Sequence, residues 1–168
     1  MQLFTIGHSN HGPAEFLHLL QSNQIQCIVD IRSKPYSRWA PFANRENLQR
    51  LLVQAGIDYL YFGDVLGGLV PGVARLTRAE RLQAYENVRQ GKDFQDGICS
   101  LVEEIQRCRT CMLCAEEDPA NCHRRLLVGP SITEKGIQIV HIRGDGRVEQ
   151  DEYKGTPDDQ GGQYSFKI

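Results

Sequence analysis

Short apolar runs alternate with segments of helical periodicity along most of this chain. The runs occupy residues 3–6, 27–31, 111–115 and 137–142, and a shorter one occupies residues 60–62. Uninterrupted runs of this length are typical of strands that are covered on both faces. We therefore expect an α/β fold, a three-layer sandwich with an open, mostly parallel sheet of four to five strands.

The segments between these runs carry apolar residues at spacings of three and four, and several have defined ends. Pro13 suits the first turn of one helix, and Gly56 suits the residue that follows a second. Thr77 and Glu80 have the spacing of a capping box, and Asp93 is a candidate cap for the helix after it. The pattern therefore predicts helices between the strands.

Three further segments are less regular. A last helix is predicted to follow Asn121 and to run to about residue 135, although a Gly-Pro pair inside it predicts a break after two turns. Residues 33–46 and the glycine-rich residues 63–72 are expected to be loops over one edge of the sheet.

Length and composition favour one domain. The chain has 168 residues, of which 40% are hydrophobic, and this is enough for one core. We expect residues 1–142 to form a single α/β domain. Residues 143–168 are expected to form a short hairpin or extension and a loose tail, because they are rich in glycine and polar residues.

Charge and hydropathy narrow the possible partners. A net charge of −2 gives no overall attraction to nucleic acids, so such a role requires a local basic patch. No run approaches the roughly 18 apolar residues of a membrane span, and the N-terminus does not read as an export signal. We therefore expect a cytoplasmic protein without a membrane partner, whose six cysteines are reduced thiols.

Polar residues follow three of the predicted strands at the point where each strand ends. Because the carboxyl ends of parallel strands meet at one edge of a sheet, these residues are expected to form a single pocket. In chain order, the candidates are His8, Ser9, Asn10, Asp30, Arg32, Glu116, Cys122, His123 and Arg124.

Five of these candidates are assigned catalytic roles. Glu116 and Asp30 are candidate general acids or bases, and His8 and His123 are candidates for proton transfer. Cys122 lies near a predicted helix start beside basic residues, where a thiolate is favoured, and is a candidate nucleophile. The alternative for Cys122 is a small buried residue that packs the helix against the sheet.

The remaining candidates are expected to bind the ligand. Ser9, Asn10, Arg32 and Arg124 offer hydrogen bonds and positive charge, which suit a phosphate or carboxylate. Three of them also have a structural alternative. Ser9 and Asn10 suit the start of a helix, and Arg32 can form an ion pair with Asp30.

The cysteine spacing raises the question of a metal. Cys108, Cys111, Cys114 and Cys122 resemble an iron–sulfur run, but strand alternation sends Cys111 and Cys114 to opposite faces, which disfavours a cluster. A metal ion held by Cys114, Cys122 and His123 remains a minor alternative, and no other cofactor is predicted.

The loop after the second strand carries aromatic and basic side chains. Tyr36, Trp39 and Phe42 accompany Arg38 in this segment. Such residues can stack on a nucleic-acid base, or they can anchor the loop on the core. The sequence leaves both alternatives open.

Four motifs together carry a family resemblance. They are residues 5–10, residues 29–32 with Pro35 and Ser37, residues 66–68, and residues 114–116 with 122–124. In order and spacing over about residues 1–142 the chain resembles the family catalogued as domain of unknown function 488. The resemblance implies an α/β domain and supports the choice of site residues, adding Ser37 to the ligand-binding candidates. It implies no reaction.

Two functions fit these residues. The first is an enzyme, a hydrolase or transferase acting on a nucleotide or nucleic-acid component that carries phosphate. The second is a noncatalytic sensor that binds a small anionic ligand or a metal ion. The chain lacks a phosphate-binding Walker loop, a dinucleotide glycine signature and the serine elbow of esterases, which disfavours those three chemistries.

Overall fold

A six-stranded sheet forms the middle layer of the fold. The computed structural model describes residues 1–9, 11–69 and 76–152. The strands are β1 (Gln2–Gly7), β2 (Cys27–Asp30), β3 (Asp58–Tyr61), β4 (Thr110–Cys114), β5 (Gln138–Ile142) and β6 (Val148–Gln150). Their order is β3-β2-β4-β1-β5-β6, and all neighbouring pairs are parallel except β5 and β6. The predicted α/β sandwich is confirmed, and the strand beyond the predicted five is the short β6.

Helices cover both faces of this sheet. They are α1 (Pro13–Ser22), α2 (Arg45–Gln54), α3 (Gly63–Leu66), α4 (Arg78–Arg89), α5 (Lys92–Arg107) and α6 (Gly129–Glu134). Helices α1 and α2 pack on one face, and the buried residues of α3, α4, α5 and α6 belong to the core on the other. No helix in the described ranges is both long and apolar enough to cross a membrane.

Strand alternation divides the core into two halves. In β4, Cys111 and Leu113 contribute to the core beneath α1 and α2, whereas Met112 contributes to the core beneath α5. All three side chains are completely buried. An apolar run without polar interruptions is therefore required here, since both faces of the strand are covered.

The helix starts are partly as predicted. The capping box of Thr77 and Glu80 is present at the start of α4. The prediction that Asp93 caps the next helix is wrong, because α5 begins at Lys92 and its N-cap is Gly91, two residues before Asp93. Asp93 lies instead in the first turn, where a carboxylate is favoured by the helix dipole.

The helix predicted after Asn121, with a break at its Gly-Pro pair, is two segments. One turn of π-helix spans Arg124–Val128, and α6 follows it directly. Pro130 is compatible with a helix here, because it lies in the first turn of α6, where a backbone N–H has no intrahelical partner. Asn121 ends a 3-10 turn, Pro119–Asn121, rather than capping a helix.

The two predicted loops contain short helical turns. A 3-10 turn, Pro41–Ala43, interrupts the first, and α2 begins at Arg45 inside the predicted range. The glycine-rich segment opens with α3. The predictions that concern Asn10, residues 70–72 and the tail after residue 152 lie outside the described residues.

Candidate functional site

The sheet order brings three polar strand exits together. Gly7 at the end of β1 pairs with Cys114 at the end of β4, and Asp30 at the end of β2 pairs with Leu113. The backbone N–H of His8 donates to the carbonyl of Cys114 over 3.2 Å. After β1 the chain turns to the α1 face, and after β4 it turns to the α6 face, so the loops diverge and leave a crevice between them.

Four side chains converge at this edge: Cys114, Glu116, Cys122 and His123, the thiol cluster from here on. The two Sγ atoms are 2.9 Å apart, and Glu116 Oε2 lies 2.8 Å from Cys114 Sγ and 3.2 Å from Cys122 Sγ. His123 Nδ1 lies 3.4 Å from Cys114 Sγ. One donor atom from each of the four residues lies within 4.8 Å of every other. The thiols are buried, whereas Glu116 is exposed.

Local structure explains how these side chains meet. Cys114 is the last residue of β4, and alternation directs it away from the layer that contains Cys111. The carboxylate of Asp118 accepts from the N–H of Ala120 and so fixes the 3-10 turn that returns the chain to Cys122. Two neighbouring sulfurs therefore come from a strand end and from a turn eight residues later.

The imidazole of His123 is positioned by a contact on the side of the ring that faces away from the sulfurs. Its Nε2 lies 3.1 Å from the carbonyl oxygen of Ile31, the residue directly after β2. Because a carbonyl only accepts, Nε2 carries a proton and Nδ1 faces the sulfurs. Gly68 packs directly against the ring, since a Cβ at that position would be 2.5 Å from His123 Cβ.

The two thiols are not equivalent. Burial raises the pKa of Cys114, but the hydrogen bond from Cys122 and the charge of His123 outweigh it and lower this pKa to about 6. Burial and the neighbouring Cys114 raise the pKa of Cys122. The sequence pointed to Cys122 as the thiol with the lowered pKa, whereas the lowered pKa is that of Cys114, the sulfur that accepts a hydrogen bond from Cys122.

The side chains of Asp30 and Arg32 form their hydrogen bonds with each other and with neighbouring residues of the protein. The Arg32 guanidinium donates to both carboxylate oxygens, with Nε–Oδ1 at 2.9 Å and Nη2–Oδ2 at 2.6 Å. Nη2 also donates to the carbonyl of Ala43, and the hydroxyl of Tyr59 donates to Asp30 Oδ2. Of the alternatives for these residues, the ion pair is therefore present, and it ties β2 to the loop that follows.

Arg124 has an unexpected position. Sequence analysis assigned it to ligand binding, but its side chain is completely buried, and its guanidinium donates to the carbonyl oxygens of Glu116 and Glu117. It therefore supports the loop that carries Glu116. Its backbone N–H lies 3.5 Å from Cys122 Sγ.

The residues after β1 lie at the margin of the crevice. His8 is buried, and its Nδ1 has no hydrogen-bond partner among the described residues. Burial, and then the charge of Arg32, lower the pKa of His8 to about 4, so the ring is neutral at pH 7. The N–H of Ser9 donates to the carbonyl of Ala115.

In the aromatic loop, one ring packs on the core and two rings are exposed to solvent. Phe42 packs on Phe16, with ring centroids 5.7 Å apart, and so anchors the loop. Tyr36 and Trp39 are 74% and 84% exposed, and Arg38 stacks on the Trp39 ring. Ser37 Oγ accepts from the N–H groups of residues 39 and 40, so this hydroxyl shapes the loop.

A cleft of about 260 Å³ opens beside the thiol cluster. Its lining includes three cluster members, Cys114, Glu116 and His123, and the basic residues Arg32, Lys34 and Arg81. Arg81 Nε has no hydrogen-bond partner in the described part of the chain. Sequence analysis did not select Arg81, because it lies on a helix whose pattern was already explained by packing.

Comparison with known families supports the family resemblance over the part of the chain that contains three of the four motifs. The model of the family described as Domain of unknown function DUF488 matches residues 13–129. No curated protein and no solved structure matches the chain.

Proposed function

The chain belongs to the DUF488 family, whose description assigns no reaction, and we propose that it is an enzyme, a hydrolase or transferase of phosphate-bearing substrates. One observation carries the proposal: proton-transferring and nucleophilic side chains line the same cleft as cationic ones. A substrate anion bound at the cations would lie beside Glu116 and the cluster. Such convergence of a reactive group with anion-binding groups is what phosphate or acyl transfer requires.

In this proposal Glu116 is the general acid or base. Its side chain is exposed to the cleft, while its backbone is held in place by Arg124. Arg81 and Lys34 bind the anionic group, since both cationic side chains line the cleft. Arg32 is a positioning residue, since its guanidinium is engaged by Asp30.

A nucleotide or nucleic-acid component is the proposed substrate class. The exposed rings of Tyr36 and Trp39 belong to the loop that follows Lys34, and Arg38 adds a positive charge there. An aromatic ring open to solvent offers a face on which a base can stack, whatever its sequence. We place this activity in the cytoplasm, where reduced thiols persist.

Binding of AMP, measured by calorimetry, tests the recognition half of the proposal. Arg81→Met is expected to weaken AMP binding by about 10- to 100-fold, because a charged hydrogen bond to phosphate is lost. Arg50→Met, on the exposed face of α2, is the matched control and should bind AMP as the wild type does. Equal binding by all three proteins would contradict the assignment of Arg81.

Turnover of p-nitrophenyl phosphate, bis(p-nitrophenyl) phosphate and AMP tests the catalytic half. Glu116→Gln is expected to lower kcat by at least about 100-fold, the scale of general acid–base catalysis, while AMP binding changes little. If the wild type binds AMP but converts none of these compounds, the enzyme proposal fails. The alternative of a noncatalytic sensor for a small anion would then take its place.

A further inference from the structure

The thiol cluster has a donor set and an arrangement that a proton-transfer role alone does not explain. We propose that Cys114, Cys122 and His123 bind one zinc ion, and that Glu116 is the fourth donor only in the absence of substrate, when it is not acting as an acid or base. Binding of zinc by the thiol cluster does not depend on the proposed function. Any part that the ion takes in turnover rests on that function.

The types of donor atom select the metal. Two sulfurs, one imidazole nitrogen and one carboxylate oxygen make a set that suits Zn²⁺, whereas Mg²⁺ and Ca²⁺ prefer oxygen ligands alone. An iron–sulfur cluster normally requires four cysteines. Cys111 lies in the opposite half of the core, and Cys108 lies with Cys27 and Glu104.

The spacing of the donors fits one ion. In a tetrahedral site with Zn–S bonds of about 2.3 Å, two sulfurs are separated by about 3.8 Å. The sulfurs of Cys114 and Cys122 are 2.9 Å apart, too far for the roughly 2.05 Å of a disulfide and close enough to reach the zinc distance by small rotations. Both ligate as thiolates, and their protons pass to solvent.

The surroundings of the donors resemble the outer shell of a metal site. A metal-binding histidine usually donates its second ring N–H to a carbonyl or carboxylate, and His123 places Nε2 against the carbonyl of Ile31. The N–H of Arg124 points at Cys122 Sγ, and its guanidinium holds the backbone of Glu116. Each of these contacts orients a donor toward the common centre.

The group of Cys27, Glu104 and Cys108 provides an internal comparison. Its three donor atoms also lie within 4.8 Å of one another, but the group contains no histidine. Cys27 is completely buried in the interior of β2, and the group offers only three donors, one of them the carboxylate of Glu104. We therefore expect no tight metal binding by this group, and Cys108→Ser is the matched control.

The test is a metal titration of the full-length chain after chelator treatment under reducing conditions, with Co²⁺ as the spectroscopic probe. We expect one Co²⁺ per chain, thiolate-to-cobalt charge-transfer absorption and the visible bands of a tetrahedral ion. Zn²⁺ should displace the Co²⁺. A wild-type protein that gives no such spectrum overturns the proposal, without reference to any variant.

Variants identify the ligands. Cys114→Ser, Cys122→Ser and His123→Ala should each weaken Zn²⁺ binding by more than about 100-fold, above the range seen for outer-shell changes. Glu116→Gln should retain binding with a loss of at most about 10-fold, since both thiolates and the imidazole, the donors that select Zn²⁺, remain. Circular dichroism checks that each variant is folded. Retention of tight binding by a folded His123→Ala, or its loss in Cys108→Ser, would contradict the assigned ligand set.

The two proposals fail separately. Turnover of a phosphate compound by a chain that binds no ion would refute the zinc site alone. Binding of one ion by a chain that neither binds AMP nor converts any phosphate compound would refute the proposed function alone.

Discussion

Two buried polar networks of this protein differ in what their members contact. In the thiol cluster, four donor atoms point at one another beside an open cleft. In the second, which we call the C-terminal network, Thr5 Oγ1 lies 2.6 Å from His141 Nδ1, and Arg125 donates to Asp151. His141 Nε2 lies 3.3 Å from the carboxylate of Asp151.

The comparison separates two uses of similar residues. The C-terminal network pairs Thr5 with His141 and Arg125 with Asp151, and it joins β1, β5 and the chain after β6. The thiol cluster gathers donors around a shared centre and leaves Glu116 exposed. Buried polar groups that satisfy one another indicate a structural role, whereas groups that converge on one point beside a cleft indicate a ligand.

Arg124 and Arg125 make the comparison testable, because consecutive residues serve different networks. Arg124→Met is expected to lower the free energy of unfolding by about 2 to 5 kcal/mol, since the carbonyl groups of Glu116 and Glu117 lose a completely buried, charged donor. Arg125→Met should cost less than about 1.5 kcal/mol, because its side chain is 23% exposed. Urea unfolding measures both, and equal losses would remove the distinction.

Asp151 gives the C-terminal network a pH dependence. Burial alone would raise the pKa of Asp151, but the His141 ring and the charge of Arg125 outweigh it, and the pKa is lowered. The carboxylate therefore adds stability above its unfolded pKa of roughly 3.9, and this is lost as the pH falls through the folded value.

We expect Asp151→Asn to cost about 1.5 to 3 kcal/mol near neutral pH, the range for a hydrogen bond to a charged group. The difference from the wild type should shrink below about pH 4. Urea unfolding over a series of pH values checks this. A difference that grows toward acid pH would mean that the aspartate is not stabilised as an anion.

A substitution at Gly68 tests whether metal binding by the thiol cluster depends on the close packing of Gly68 against His123. A Cβ at Gly68 would overlap the His123 side chain, so Gly68→Ala should cost about 1 to 3 kcal/mol and weaken Co²⁺ binding by about 10- to 100-fold. Gly12→Ala is the control, since nothing lies within 4 Å of the added atom. Equal metal affinity in the two variants would show that the ring adjusts freely.

Trp39 is expected to have the smallest effect on stability. Because its side chain is 84% exposed, Trp39→Ala should change the free energy of unfolding by less than about 0.5 kcal/mol. It should weaken AMP binding by about 1 to 3 kcal/mol, the value of stacking one base, and leave binding of inorganic phosphate unchanged. Calorimetry with both ligands measures the split, and an equal loss for both would argue against stacking.

Sequence patterns located most of the elements because periodicity reports which faces are covered. They placed α1 at Pro13 and the capping box at Thr77, and they identified five of the six strands from their apolar runs. They failed at Asp93 and at the π-turn, where hydrogen bonding of the neighbouring backbone decides the register. Local propensity does not resolve such choices.

The residues of the candidate site were easier to find than their contacts. Polar strand exits led to Glu116, Cys122 and His123, which meet at one edge. The burial of the Arg124 side chain was not predictable, because a long side chain near a helix start can extend into solvent or into the core. The contact of His123 with Ile31 joins positions 92 residues apart, and no local pattern encodes it.

By itself the sequence determined the layered α/β fold and the set of polar residues at the strand ends. Strands covered on both faces appear as apolar runs, helices appear as apolar residues at spacings of three and four, and polar residues follow where a strand ends. Only the tertiary structure decided which thiol faces which partner, which arginine is buried and which remains beside the cleft. Those outcomes depend on the order of strands in the sheet and on the direction of each side chain, and both are fixed by packing between distant segments.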